Sequence, residues 1–116
     1  MKFKLIMALV DEQDTEAILK AAREAGCTGA TVVTSARGEG LEPGKNFFGL
    51  DLSGQRDLLI FLVADQLSRD ILENIAKTGD FEGKSGAGIA FQLGIEDAIG
   101  LSSQMETLSH EIEDQI

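Results

Sequence analysis

Gly83, Lys84 and Ser85 close the run Thr78-Gly79-Asp80-Phe81-Glu82-Gly83-Lys84-Ser85, which nearly matches the phosphate-cradling pattern GxxxxGK[ST]. In that pattern the amides of a glycine-rich turn converge on phosphate at a helix N-terminus and the lysine neutralises its charge. Here the leading glycine is displaced by one position. The run also follows a helical pattern and precedes a strand-like one, the reverse of the order the cradle needs. It therefore reads as a loop that presents one cation, Lys84, to an anion or to solvent, and not as a true P-loop.

Other reactive groups are scarce. Cys27 is the single cysteine, so it cannot form an intrachain disulfide or a metal cluster. It follows a helical run, where the negative end of the helix dipole favours the neutral thiol, and it reads as an inert packing residue. His110, the single histidine, stands four residues after Glu106 on a helical stripe, a pair that is usually solvated surface among so many acids. Nucleophile, base and orienting group cannot be assembled around one tail histidine. No Asp or Glu lies inside an apolar run where burial would tune it as a general acid. The expectation is a non-enzyme with no resident metal.

Charge and size narrow the classes further. Ten basic against twenty acidic residues give a formal net charge of −10, which repels a nucleic-acid backbone. There is no Trp or Tyr, and the six Phe are dispersed, so no base-stacking platform is visible. A length of 116 residues, 43% hydrophobic and 26% charged with one Pro, suits one globular domain. The longest apolar runs, residues 5–10 and 58–64, are far shorter than the roughly 20 residues needed to cross a bilayer, and neither resembles a cleavable signal. The expected location is cytoplasmic, with no direct membrane insertion.

The elements that must position Lys84 follow from periodicity. Residues 3–10 form an apolar strand candidate, and residues 11–15 a polar break with helix-capping types. Ala17, Ile18, Ala21, Ala22 and Ala25 recur at helical spacing before Gly26. Residues 28–35 carry the β-branched run of a second strand, and a glycine-rich irregular stretch spans 37–57. The pattern then repeats, with a strand over 58–64, a helix on Leu67, Ile71, Leu72, Ile75 and Ala76 closed by Gly79, and a strand over 89–93. Two βαβ halves in one α+β domain point to the ferredoxin-like β-α-β-β-α-β arrangement, with both helices on one face of an antiparallel sheet. Yet residues 5–10 and 58–63 are apolar at odd and even positions alike, so the other face also needs cover. Self-association is the simplest cover. The tail stripe of Met105, Leu108, Ile112 and Ile116 is too thin for a whole sheet.

Several motifs resemble a known family. Gly26-Cys27-Thr28-Gly29-Ala30-Thr31-Val32, Arg37-Gly38-Glu39-Gly40, Thr78-Gly79 and Ile95-Glu96-Asp97-Ala98-Ile99 follow one another at the spacing seen in nitrogen regulatory PII proteins, over roughly residues 2–104. The resemblance implies a homotrimeric ferredoxin-like signalling protein whose three sheets pack back to back. It implies a nucleotide held between subunits by three loops, here about residues 38–55, 78–88 and 100–104. The longest loop of such proteins docks on a transporter, enzyme or regulator. By position, Thr28 and Thr31 would help to hold base and sugar, and Gly38 and Gly40 open the long loop. Gly83, Lys84, Ser85 and Gly86 fall in the second loop, with Lys84 as the phosphate partner.

Departures from the family pattern refine the ligand. The third loop of the family typically carries two phosphate-binding arginines, whereas this chain has Ile99-Gly100-Leu101-Ser102-Ser103. Leu41-Glu42 replaces a Gln-Lys pair, and no tyrosine exists to be nucleotidylated. Loss of charge-assisted, bidentate contacts disfavours ATP, so the expected regulatory ligand is a small anion or a nucleotide, with AMP or ADP at least as good as ATP, and no cofactor is required. Lys45, Phe47 and Phe48 are candidate partner contacts in the long loop, though the two rings could equally anchor the loop on the domain. The favoured partner is a membrane transporter's cytoplasmic face. The expected organisation is a domain over residues 1–104 followed by an acidic helical tail over 105–116. The rival reading is a trimeric ferredoxin-like protein of the metal-tolerance type that binds divalent cations.

Overall fold

Apolar alternation in the two central strands organises the chain. The computed structural model describes residues 2–37, 55–83 and 87–101. In order, these form β1 (Phe3–Asp11), α1 (Thr15–Glu24), β2 (Thr31–Ala36), β3 (Arg56–Ala64), α2 (Asp65–Thr78) and β4 (Gly88–Gly94), with a short 3-10 turn, Glu12–Asp14, between β1 and α1. The strands lie in the order β2-β3-β1-β4, each antiparallel to its neighbours. This is the expected ferredoxin-like arrangement. Residues 105–116, the expected tail, lie outside the described residues. Among the described residues no helix is long and apolar enough to cross a membrane.

On one face Ile6, Ala8 and Val10 of β1 and Leu59, Phe61 and Val63 of β3 are buried, and they cluster with Ile18 and Ala22 of α1 and Leu67, Ile71 and Ile75 of α2. The alternate residues form rows across the opposite face. Leu62, Leu5 and Leu93 are in register, as are Ile60, Met7 and Phe91, and then Leu58, Leu9 and Ile89. Val33 extends the third row by pairing with Leu58. Val33, Phe91 and Leu93 are 45%, 43% and 47% exposed in the single chain. The two-sided apolarity of β1 and β3 thus resolves into a helix-covered face and an open apolar face.

Both helices end in the same hydrogen-bond pattern. At α1, Cys27 N–H bonds to Ala22 O (3.0 Å) and Gly26 N–H to Arg23 O (3.0 Å), with Gly26 at φ 112°. At α2, Phe81 N–H bonds to Ala76 O (3.0 Å) and Asp80 N–H to Lys77 O (3.2 Å), with Asp80 at φ 53°. Each is a Schellman motif, a turn whose left-handed residue satisfies carbonyls the helix leaves orphaned. Gly26 stops α1 as expected. At α2 the stop residue is Asp80, while Gly79 keeps a helical backbone and is small because a Cβ there would run into the Phe81 ring.

Two strand boundaries differ from the sequence expectation. β2 begins at Thr31 and not at Thr28, because its ladder with β3 starts at the Thr31–Ile60 pair. β3 begins at Arg56, two residues ahead of its apolar run, because Arg56 and Asp57 pair with Asp11 and Val10. At this root of the long loop, Glu12 N–H bonds to Gln55 O (3.2 Å), Thr15 Oγ1 donates to Asp57 Oδ2 (2.6 Å), and Arg56 lies 3.9 Å from Asp11. Arg56 and Asp57 are only 4% and 7% exposed. On the other side of the loop a bulge between Val33 and Ala36, with Ser35 at φ 61°, shifts the β2–β3 register before the ladder's final pair, Ala36–Arg56.

These local structures can be checked by substitution. Asp80→Gly removes the steric penalty of a left-handed non-glycine residue and should stabilise the fold by about 0.5–1 kcal/mol in urea unfolding. Thr15→Val keeps the side-chain shape but leaves the buried Asp57 carboxylate without its donor, and it should cost about 1–3 kcal/mol in the same assay.

Candidate functional site

The connection from α1 to β2 builds the wall of a cavity. After Gly26 turns the chain out of α1, residues Thr28–Ala30 lead to Thr31, which pairs with Ile60 of β3. Cys27 Sγ donates to Gly29 O at 3.1 Å and ties this short connection to the core. Burial is the main influence on the Cys27 thiol and pushes its pKa up, so it remains a protonated donor, while the Gly29 backbone hydrogen bond and then Arg23 pull the other way. The packing role expected of Cys27 fits its buried position.

Thr28, Gly29, Ala30 and Thr31 line a cavity of about 370 Å³ together with Ile60 and Leu62 of β3 and Gly100 and Leu101 beyond β4. Ile60 and Leu62 belong to the open apolar face, so the cavity sits at that face's margin. Among the described residues its lining has two hydroxyls, several backbone groups, aliphatic side chains and no ionisable side chain. Such a surface suits a flat, uncharged, partly apolar group whose edge can form hydrogen bonds. A wider groove of about 570 Å³ lies between the start of α1 and β2, lined by Glu12, Glu16, Thr34, Ser35 and Asp57 among others. Its carboxylates make it unfavourable for an anion.

Of the expected site residues, Thr28 and Thr31 both line this cavity. Gly83 is exposed in the turn after α2, beside Asp80, whose carboxylate a Gly83 Cβ would meet at 2.5 Å. Gly38, Gly40, Lys45, Phe47, Phe48, Lys84, Ser85 and Gly86 lie outside the described residues, as do Glu106 and His110. Gly100 and Leu101 fall in the third loop that the resemblance implied, whereas Ile60 and Leu62 lie outside all three loops, and the two-sided apolarity of β3 was the available signal for them. Among the described residues, no group of three or more His, Cys, Asp or Glu side chains converges on a common point as a metal site would require.

Comparisons with known proteins agree with this architecture. A PII-like signalling protein from Thermus thermophilus superposes with a TM-score of 0.61 at 21% identity, covering 82% of this chain and 88% of that one. CPII from Thiomonas intermedia bound to ADP, AMP and acetate gives 0.61 at 19% identity, covering 83% and 90%. The same protein bound to ADP and bicarbonate gives 0.62 at 22%, covering 82% and 87%. At these identities the likeness establishes the fold. No curated protein sequence matches. The model of the family described as nitrogen regulatory protein P-II matches residues 3–105, nearly the whole chain. With its βαββαβ order, its open apolar face and its cavity after α1, the chain belongs to the nitrogen regulatory protein P-II family.

Proposed function

We propose that this protein is a homotrimeric cytoplasmic regulator that binds an adenine nucleotide, AMP or ADP in preference to ATP, in clefts between its subunits, and signals through its long loop to a protein partner. The observation that carries the reading is the cavity at the margin of the open apolar face, lined among the described residues by hydroxyl, backbone and aliphatic groups. A second copy packed on that face would stand beside the cavity and could supply its missing wall. The cavity would take the base and sugar, with Thr28 and Thr31 as hydrogen-bonding partners. Lys84, with Gly83, Ser85 and Gly86, would meet the phosphates. Structures of CPII with ADP and AMP support this class of ligand for the fold.

Charge supports the preference for fewer phosphates. The lining residues Gly100 and Leu101 and the following Ser102 and Ser103 carry no cation, while Glu39, Glu42 and Glu82 neighbour the loops assigned to the ligand. Each further phosphate adds a charge whose desolvation one lysine does not offset. The long loop over residues 38–55, with Lys45, Phe47 and Phe48 as partner contacts, would report occupancy to an acidic surface such as a transporter's cytoplasmic face. Ordering the loop in the liganded state would lower the entropy cost of docking. The domain division at residue 104 is part of the same proposal. The metal-tolerance alternative is not favoured by the family match, which is to the P-II model.

Two measurements test this. Light scattering at micromolar concentration should report three chains, and Met7→Lys, at the centre of the open face between Ile60 and Phe91, should yield monomers. A monomeric native protein overturns the assembly. By calorimetry, ADP or AMP should bind at least as tightly as ATP. Gly29 lines the cavity and a Cβ there meets nothing within 4 Å, so Gly29→Leu adds bulk at the cavity wall with no conflict at its Cβ. It should weaken ADP by about tenfold or more and change stability by under about 1 kcal/mol. Unchanged ADP affinity in Gly29→Leu removes the cavity from the proposal.

A further inference from the structure

Gly29 and Ala30 stand between two cavities. On one side they line the cavity of about 370 Å³ described above, and on the other a small one of about 30 Å³ whose lining includes Cys27 and Phe61. The peptide that joins Gly29 to Ala30 is therefore a partition between the two. Its carbonyl is turned back to the core side, where Cys27 Sγ donates to Gly29 O at 3.1 Å. The peptide is trans and planar, so its N–H points opposite to its C=O. With the carbonyl held by Cys27, the Ala30 N–H is turned towards the large cavity.

Among the described residues the Ala30 amide meets no acceptor, and around it the large cavity presents the Thr28 and Thr31 hydroxyls and the aliphatic side chains of Ile60, Leu62 and Leu101. The hydroxyls rotate to donate or to accept, whereas an amide N–H only donates, so the amide discriminates between the edges of a ligand. Adenine offers acceptors only at its ring nitrogens. We infer that the Ala30 backbone N–H is a specificity-determining donor of this cavity, bonding to a ring nitrogen of a flat heterocycle, and that Cys27 is the positioning residue that aims it. The inference rests on the reading above that a nucleobase enters the cavity.

Proline at this position deletes the one proton in question, and residues 28–30 lie outside helix and strand, so the change removes no ladder bond. Calorimetry compares wild type, Ala30→Pro and Ala30→Ser, which keeps the N–H, with ADP, with adenosine and with the deaza-adenosines, in each of which C–H replaces one ring nitrogen. Ala30→Pro should weaken adenosine by about tenfold, while Ala30→Ser stays within about twofold. One deaza analogue should bind the wild type about tenfold less tightly than adenosine, and Ala30→Pro should weaken that analogue no further. Cys27→Ala, which releases the carbonyl, should weaken adenosine by about threefold or more and leave the same analogue unchanged. Should Ala30→Pro fail to fold, the wild-type amide decides: adenosine should slow hydrogen exchange at Ala30 by about tenfold, and that analogue should not. Exchange at Ala30 unchanged by adenosine overturns the inference. So does equal weakening of adenosine and every analogue by Ala30→Pro, because a merely structural role does not depend on one nitrogen. Adenosine and ADP affinities unchanged in Ala30→Pro overturn it too and leave the nucleotide reading standing. If the wild type binds neither ADP nor adenosine, the nucleotide reading fails and this inference falls with it.

Discussion

The demand of β1 and β3 for cover on both faces governs this structure. Residues that alternate in a half-solvated strand are here apolar on each side, so one face takes α1 and α2 and the other presents Leu5, Met7, Leu9, Leu58, Ile60 and Leu62 in register. Burial of apolar area at roughly 25 cal/mol per Å² makes the second face a strong reason for association. The cavity depends on the same constraint. Its aliphatic lining is the edge of the open face, and its polar lining is the turn that carries the chain from α1 to the sheet's margin.

Much of the fold was legible because its signals are local and periodic. The apolar stripe Leu67, Ile71, Ile75 and the β-branched run Thr31–Thr34 each name an element without tertiary information. Where expectation and structure differ, a contact between distant residues decides. Arg56 and Asp57 look like loop residues until Asp11 and Thr15 are seen beside them. Gly79 looks like a helix stop, yet the left-handed position falls on Asp80 because the constraint at Gly79 is the Phe81 ring. The two helix ends show both cases: one motif, written with its usual glycine at Gly26 and disguised as Asp80 at the other end.

The candidate site was legible to a lesser degree. Thr28 and Thr31 emerged from a motif resemblance, and the structure brings them into one cavity. The apolar lining could not be assigned from sequence, because Ile60 and Leu62 carry no mark that separates a ligand-facing side chain from one facing another sheet. Burial physics treats the two alike. What distinguishes them is position in the sheet, on β3 beside the start of β2 and the α1–β2 connection.

The bulge at Ser35 and the contacts at Gln55, Arg56 and Asp57 have a consequence for how this chain tolerates change. Strand pairing reaches Ala36 on one side, and Gln55, Arg56 and Asp57 are tied to β1 and α1 on the other, so both ends of the connection are held by contacts among the described residues. Closing a longer or shorter connection between ends already held costs little, about 0.6 kcal/mol for each doubling of length. A change of length between these two ends is therefore a small perturbation beside the contacts that hold the sheet.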